Sequence, residues 1–511
     1  MDCILVHDLG TTGDKAALFS LKGELIASHT EPYPTRQLPG GGFEQNPADW
    51  LSAVAHATRE VLHAARVRPG DVAGISLSGH MMGVVALDAS HRPVRPAILH
   101  SDIRAAAQAR RLRRGDLPAR IHRIAGNPLD VHYPWLKIAW LRDSEPESYR
   151  AARLFVQCKD YVTSWLTGSE PVTDYSDASL YGCWDFHRMD WSDELCEAAG
   201  IEQGRLPRVA RAGEKAGELR PEAAKELGLP AGVPVFIGLG DGASAAVGAG
   251  AWEPASCYTY VGSTAWVART EREPVIDPEG RLFTLAIVPE RFTSIGTVQS
   301  AGAAWDWAVT RLCEAHFETA ESLAAAAPPG SNGLLFLPYL AGERSPIWND
   351  NARGVWFGLS SSHGVGDLLR SVLEGVSLAL GGILCDICRC SEGAPDEIRL
   401  IGGGARVRLW RQILADCFAR PCAFPDELGE ATSRGAYAAA AVGLGAIAGF
   451  QESARLVPPA HTVRPVAAHS ALYQAMRPLF EDLYSRLKTA YDDLARLRVR
   501  LRALEVTDAA V

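Results

Sequence analysis

Residues 8–15 read Asp8-Leu9-Gly10-Thr11-Thr12-Gly13-Asp14-Lys15, set between one apolar, β-prone run at 3–7 and another at 16–19. A Gly/Thr turn between two such runs predicts a strand, a tight turn and a returning strand. The glycines let the backbone approach a ligand closely, and the turn's N–H groups and hydroxyls can donate to phosphate oxygens. Lys15 adds a compact positive charge. Asp8 ends the first strand, where a carboxylate can hold Mg²⁺ directly or through water. A plain hairpin with a capping Asp explains the same residues, and the turn alone does not separate the two readings.

Working outward, the arrangement recurs: a run at 257–261, then Gly262-Ser263-Thr264, then a run at 265–268. Two such hairpins far apart in one chain imply two similar domains. Two strand, Gly-turn, helix units stand out at 235–250 and 398–418, each placing backbone N–H groups at a helix start. Alternating patterns between the hairpins, such as a helix at 50–65 and a strand at 72–77, make the class α/β. The boundary is expected within 243–256, giving domains 1–245 and 246–511.

With 511 residues, 47% apolar and 22% charged, the chain is neither disordered nor disulfide-stapled, and it is long enough for two or three cores. Lys+Arg total 51 against 60 Asp+Glu, a net charge of −9 with no long basic run, so nucleic acid is not an expected partner. The charge-free stretch 435–451 is shorter than the ~20 residues a membrane span needs and is read as a buried helix. The start of the chain lacks a secretory pattern, so the cytoplasm is expected. Eleven scattered cysteines read as reduced thiols, and Cys385, Cys388 and Cys390 read as part of a helix rather than a metal motif. Leu494, Leu497, Leu501 and Leu504 fit either a short coiled-coil seam or, preferably, a helix packed on its own domain.

Gly238-Leu239-Gly240-Asp241-Gly242-Ala243 matches a dinucleotide-binding fingerprint, which brings an oxidoreductase into consideration. The following strand leads instead into Gly262-Ser263-Thr264, and the cofactor reading weakens. Asp241, in a Gly turn at the mouth of a strand, is the candidate base for a hydroxyl proton. Phosphoryl transfer needs donor loops, a metal-binding carboxylate and a base, and each is present.

Ordered along the chain, Asp8-Leu9-Gly10-Thr11-Thr12-Gly13, Ser78-Gly79-His80-Met81-Met82-Gly83, Gly238-Leu239-Gly240-Asp241, Pro338-Tyr339-Leu340-Ala341-Gly342-Glu343-Arg344-Ser345-Pro346 and Gly402-Gly403-Gly404-Ala405 form a set that resembles the FGGY family of carbohydrate kinases, xylulokinases above all. The resemblance implies two actin-like (ribonuclease H-like) ATPase domains flanking a central cleft, sugar held mainly by the first and ATP mainly by the second. It implies Asp241 and Asp8 as catalytic residues, both near Mg²⁺. Thr11, Thr12, Lys15, Gly262, Ser263, Gly302, Gly403 and Gly404 would contact ATP. His80, Met81, Met82, Asp102 and Asp241 would contact the sugar. The implied reaction is ATP-dependent phosphorylation of a hydroxyl on a ketopentose or related polyol, with a homodimer left open. A chaperone-like or filament-forming ATPase of the same superfamily is the alternative. Two motifs depart from the xylulokinase pattern: His80-Met81-Met82-Gly83 stands for Gln-Met-His-Gly, and His100-Ser101-Asp102-Ile103-Arg104 for Trp-Asn-Asp-x-Arg. D-xylulose itself is therefore not implied.

Overall fold

A computed structural model describes residues 2–314, 316–457 and 460–508. Packing divides the chain into two compact units: Met1–Pro254 with Thr270–Ser294 and Glu430–Pro458, and Ala255–Arg269 with Ile295–Gly429 and Pro459–Val511. The chain thus returns to the first unit twice after the expected boundary at 245/246. Both returns have local causes. Asn127 Oδ1 accepts from the Thr284 N–H (2.8 Å), and Asn127 Nδ2 donates to the Thr284 carbonyl (2.9 Å). The helix Ala431–Gly443 lies so close to Asp241–Gly248 that a Cβ on Gly248 would fall 1.7 Å from the Ala431 oxygen.

The first unit is built on a six-stranded sheet in the order Lys215–Glu218, Pro234–Gly240, Val72–Gly79, Cys3–Leu9, Gly13–Ser20, Leu25–Pro32. The second, third and fourth of these run parallel, with Asp8 and Leu239 both opposite Ser78 and Gly240 opposite Gly79. Their carboxyl ends therefore form one rim, the usual place for ligands in such sheets. Near-continuous apolar runs suit these strands to burial on both faces. The helix Pro47–Ala65 covers the sheet with Trp50, Val54, Ala57 and Val61, spaced at three to four residues. Asn46 caps its start, accepting from the Ala48 N–H (3.3 Å), and Pro47 supplies the first helical residue.

In the second unit Cys257–Val261 pairs antiparallel with Ala265–Glu271 and parallel with Ile398–Ile401. Cys422–Phe424 and His461–Val463 extend the sheet. The helix Val365–Cys390 is long and apolar enough to cross a membrane, yet 78% of its apolar window is buried. Leu369, Val372, Leu373, Val376, Leu380, Ile383 and Ile387 are enclosed, so it is the unit's core helix. Cys385, Cys388 and Cys390 lie half-buried in its last turns.

Two expectations need correction. The stretch 435–451 is helical only as far as Gly443. Beyond it the chain turns, with Gly445 at φ 71°, and forms a short 3₁₀ turn at Phe450–Glu452. A left-handed residue cannot continue a right-handed helix. The last helix, Ala467–Asp508, packs through Tyr473, Phe480, Leu483, Tyr484 and Tyr491, whereas Leu494, Leu497 and Leu501 are 37%, 50% and 50% exposed. The leucine stripe is thus not the packed face, and the Leu504 side chain lies outside the described residues.

Candidate active site

The rim of the first sheet brings several expected residues together. Asp8 ends its strand half-buried, accepts a hydrogen bond from Thr432 Oγ1, and has its carboxyl pushed above the usual range by burial. The turn that follows closes with the Gly10 N–H donating to the Gly13 carbonyl (3.0 Å). Side chains hold it from outside: Tyr33 donates to the Gly10 carbonyl, and Gln45 Nε2 (2.8 Å) and Thr35 Oγ1 (3.2 Å) donate to the Thr11 carbonyl. Trp50 Nε1 donates to Gln45 Oε1 (2.9 Å), fixing the amide. With its carbonyls engaged, the turn can present N–H groups and the Thr11 and Thr12 hydroxyls to an anion. Lys15 Nζ stands 3.5 Å from Glu430 Oε1. Burial raises the Glu430 carboxyl above its usual value.

Asp241 opens the helix Asp241–Gly248, half-exposed, with Oδ1 accepting from the Gly242 N–H (2.7 Å). The preceding Gly240 N–H donates to Ser176 Oγ (2.9 Å), and Asp174 Oδ2 accepts from both the Ser176 N–H (2.8 Å) and its hydroxyl. Beneath them Lys159 Nζ lies 2.7 Å from carboxylate oxygens of Asp160, Asp174 and Asp177. Burial, joined by the charges of Asp174 and Asp160 and opposed by Lys159, holds the Asp177 carboxyl well above the ordinary range. The strand ends that carry Asp241 and His80 thus rest on a buried polar block. Sequence reading missed it, because Asp174 and Asp177 sit in a polar stretch that gives no sign of burial and lie more than ten residues from Lys159 and Asp160.

His80 follows the Ser78 strand, is 3% exposed, and packs edge-on to Trp50 with ring centroids 5.7 Å apart. Neither ring nitrogen has a hydrogen-bond partner among the described residues. Burial, reinforced by Lys137, lowers its pKa to about 4, so the imidazole is neutral. Met81 fills the space a Cβ on Gly240 would need, 2.7 Å from its Sδ, which seats it against the base of Asp241. Met82 is held at φ 61°, its carbonyl accepting from Lys137 Nζ (2.8 Å). The same ammonium donates to the His100 carbonyl (3.3 Å) and to that of His132, so one buried lysine gathers three loops. Sequence reading missed Lys137 too. Asp102 is 1% exposed and accepts from the Phe43 N–H (2.9 Å) and from Arg104 Nε (2.9 Å). Arg104 also reaches Glu44 Oε1 (2.7 Å) and lies over Trp140.

In the second unit, Gly262, Ser263 and Gly302 meet through main-chain bonds: Gly302 N–H to Gly262 carbonyl (2.8 Å), Ala301 N–H (3.0 Å) and Ala303 N–H (3.1 Å) to Ser263 carbonyl. A Cβ on Gly302 would sit 2.4 Å from the Gly262 oxygen. The Gly402–Gly404 turn lies alongside, a Cβ on Gly404 falling 3.0 Å from the Val261 oxygen. Glu343, 2% exposed, accepts from the Gln299 N–H (3.0 Å) and the Arg344 N–H (3.0 Å), and burial pushes its carboxyl up to about 8. The dinucleotide fingerprint has a different physical origin here. A Cβ on Gly238 would fall 1.7 Å from the Leu77 oxygen, so that glycine serves strand-to-strand approach.

Comparison with known proteins bears on this arrangement. Residues 3–248 match the N-terminal domain of the FGGY family of carbohydrate kinases, and residues 257–444 its C-terminal domain. The chain is 32% identical over 481 residues to a xylulose kinase of Escherichia coli (strain K12), covering 94% of this chain and 98% of that one. It is 29% identical over 499 residues to a gluconokinase of Bacillus subtilis (strain 168), covering 96% of each. The crystal structure of a ligand-bound xylulose kinase from Lactobacillus acidophilus superposes with a TM-score of 0.91 at 26% identity, over 97% of this chain and 100% of that one. Both units therefore have the actin-like, ribonuclease H-like fold, and the chain belongs to the FGGY family of carbohydrate kinases, phosphotransferases that use an alcohol group as acceptor.

Proposed function

We propose that the enzyme transfers the γ-phosphoryl group of ATP to a hydroxyl of a ketopentose or related neutral polyol, with Asp241 as the base that takes the hydroxyl proton. The observation that carries this reading is His80. A buried imidazole with two unpartnered nitrogens is costly unless a ligand supplies the missing hydrogen bonds, and its loop packs against Gly240 at the root of Asp241. Substrate hydroxyls suit a neutral imidazole, which both donates and accepts. The nearby cations are engaged: Lys137 by three carbonyls, Arg104 by Asp102 and Glu44. This favours an uncharged acceptor over a sugar acid.

Met81 and Met82 shape the sugar side, and Asp102 acts by fixing Arg104 and the 41–43 loop. Thr11, Thr12 and Lys15 serve the terminal phosphates; Gly262, Ser263, Gly302, Gly403 and Gly404 serve the nucleotide. Asp8, half-buried and with its carboxyl raised by lost hydration, fits a cation partner, and Asp241 is the second carboxylate that would share it. Mg²⁺ held there would neutralise charge on the phosphate oxygens. The same reading puts the enzyme in the cytoplasm, which cell fractionation checks.

The decisive experiment is ADP release over a panel of ketopentoses, pentitols, glycerol and gluconate. A ketopentose or polyol is expected to stimulate turnover most. If no acceptor raises ADP release above the acceptor-free rate, and Asp241→Ala changes nothing, the reading is wrong. Preference for gluconate would instead support the sugar-acid specificity named for the Bacillus subtilis relative.

A further inference from the structure

We propose that His29, Glu31 and His56 form a binding site for a borderline divalent cation of the Zn²⁺ class, independent of the phosphoryl-transfer machinery. His29 and Glu31 are two apart on the strand Leu25–Pro32, so both point to the face covered by the helix Pro47–Ala65, which supplies His56. One donor atom from each lies within 4.8 Å of the others. Glu31 Oε2 stands 3.5 Å from His29 Nε2 and 2.7 Å from His56 Nδ1.

Donors bound to one tetrahedral ion at 2.0–2.2 Å stand about 3.4 Å apart. The first separation already fits, and the second needs only that a hydrogen bond open by about 0.7 Å to admit the ion. His29 Nε2 is shielded from solvent and has no hydrogen-bond partner among the described residues, so its lone pair is open to a ligand. The far side of His56 supplies a separate observation. Its Nε2 faces Glu60 Oε1 at 3.9 Å, one helical turn on, and a metal-bound imidazole characteristically offers its other N–H to a carboxylate. Glu60 also offsets the positive charge left when one Glu31 carboxylate meets a dication.

Two imidazoles and one carboxylate select Zn²⁺, Co²⁺, Ni²⁺ or Cu²⁺ over Mg²⁺, which prefers an all-oxygen shell. With side chains 34%, 29% and 48% exposed, the cluster lies near the surface, and opening the Glu31–His56 contact would admit the ion. The ion would staple helix to strand behind the phosphate turn, since Glu31 is the sheet partner of Asp14 and Pro32 that of Gly13.

The test uses the full-length enzyme, stripped with a chelator and kept reduced. Zn²⁺ affinity is measured by competition with a chromophoric chelator, and Co²⁺ coordination by its visible spectrum. The comparison is wild type against the double variant His29→Ala/His56→Ala, with His63→Ala, an exposed histidine on the same helix, as control. Wild type and His63→Ala are expected to bind one equivalent and to melt at a higher temperature with Zn²⁺ present. The double variant is expected to lose that equivalent, and Glu60→Gln to bind about tenfold more weakly. Should the double variant fail circular dichroism, His56→Gln alone carries the same comparison. Equal binding by wild type and variant, or no saturable binding below about 1 mM, overturns the proposal.

Discussion

The two Gly-(Ser/Thr)-Thr hairpins look alike in sequence and are supported in opposite ways. Around Gly10–Gly13 the turn is braced by side chains, Tyr33, Thr35 and Gln45, and accompanied by the ionisable groups Asp8, Lys15 and Glu430. Around Gly262–Thr264 the supports are main-chain N–H groups of Ala301, Gly302 and Ala303 and the close-lying Gly402–Gly404 turn. A turn that handles changing charge needs tunable neighbours, whereas one that cradles a nucleotide needs backbone at close range. On the proposed reading one motif serves two duties, and substitution should separate them.

The largest effect is expected at Asp241. If Asp241 is the base proposed above, Asp241→Ala should lower kcat by about 10²–10⁴-fold while the KM for ATP changes little, because a base acts on the transition state. A comparable rise in the ATP KM would move Asp241 to the nucleotide's side of the comparison.

The next largest concerns pH. The depressed His80 pKa, about 4 against a usual 6.5, means the native state resists protonation. Its contribution is complete above 6.5 and is lost as pH falls from there towards about 4. The loss amounts to about 3 kcal/mol at most. Melting curves across that window should fall steeply for wild type and less for His80→Gln; parallel curves would show that the imidazole titrates freely.

A main-chain-built loop should fail on added bulk rather than on lost charge. Gly302→Ala places a methyl against the Gly262 oxygen and is expected to cost about 1–3 kcal/mol and to weaken ATP binding measured by calorimetry. The smallest effect is expected from Gln45→Ala, about 1 kcal/mol, with a few-fold rise in the ATP KM, since Thr35 and Tyr33 still brace the first turn. If Gln45→Ala proves the more damaging of the two, the contrast between the hairpins is wrong.

Local pattern made much of this legible. The apolar runs either side of Gly10–Gly13 and Gly262–Thr264, and the strand-to-helix turns at Asp241 and Gly402, each sit within a window of about twenty residues, where periodicity and turn chemistry speak directly. What stayed hidden is nonlocal. Thr432 reaching Asp8, Glu430 facing Lys15, Ser176 holding Gly240 and Lys137 reaching the Met82 carbonyl join residues from 55 to 424 positions apart. Gly435 and Gly443 read as ordinary members of an apolar helix, yet the first is where that helix meets Ser244 and the second is where it ends. The leucines at 494, 497 and 501 misled because spacing shows a stripe without saying which stripe is covered.

The late return of residues 430–458 to the first unit bears on how this gene can be dissected. A fragment ending at Pro254 would lack Thr432, leaving the Asp8 carboxylate without that hydroxyl, and would strip the Asp241 helix of the neighbour it was shaped to touch. Chimeras exchanged between sister enzymes must carry that late segment along with the amino-terminal part, because inheritance here follows packing rather than linear order.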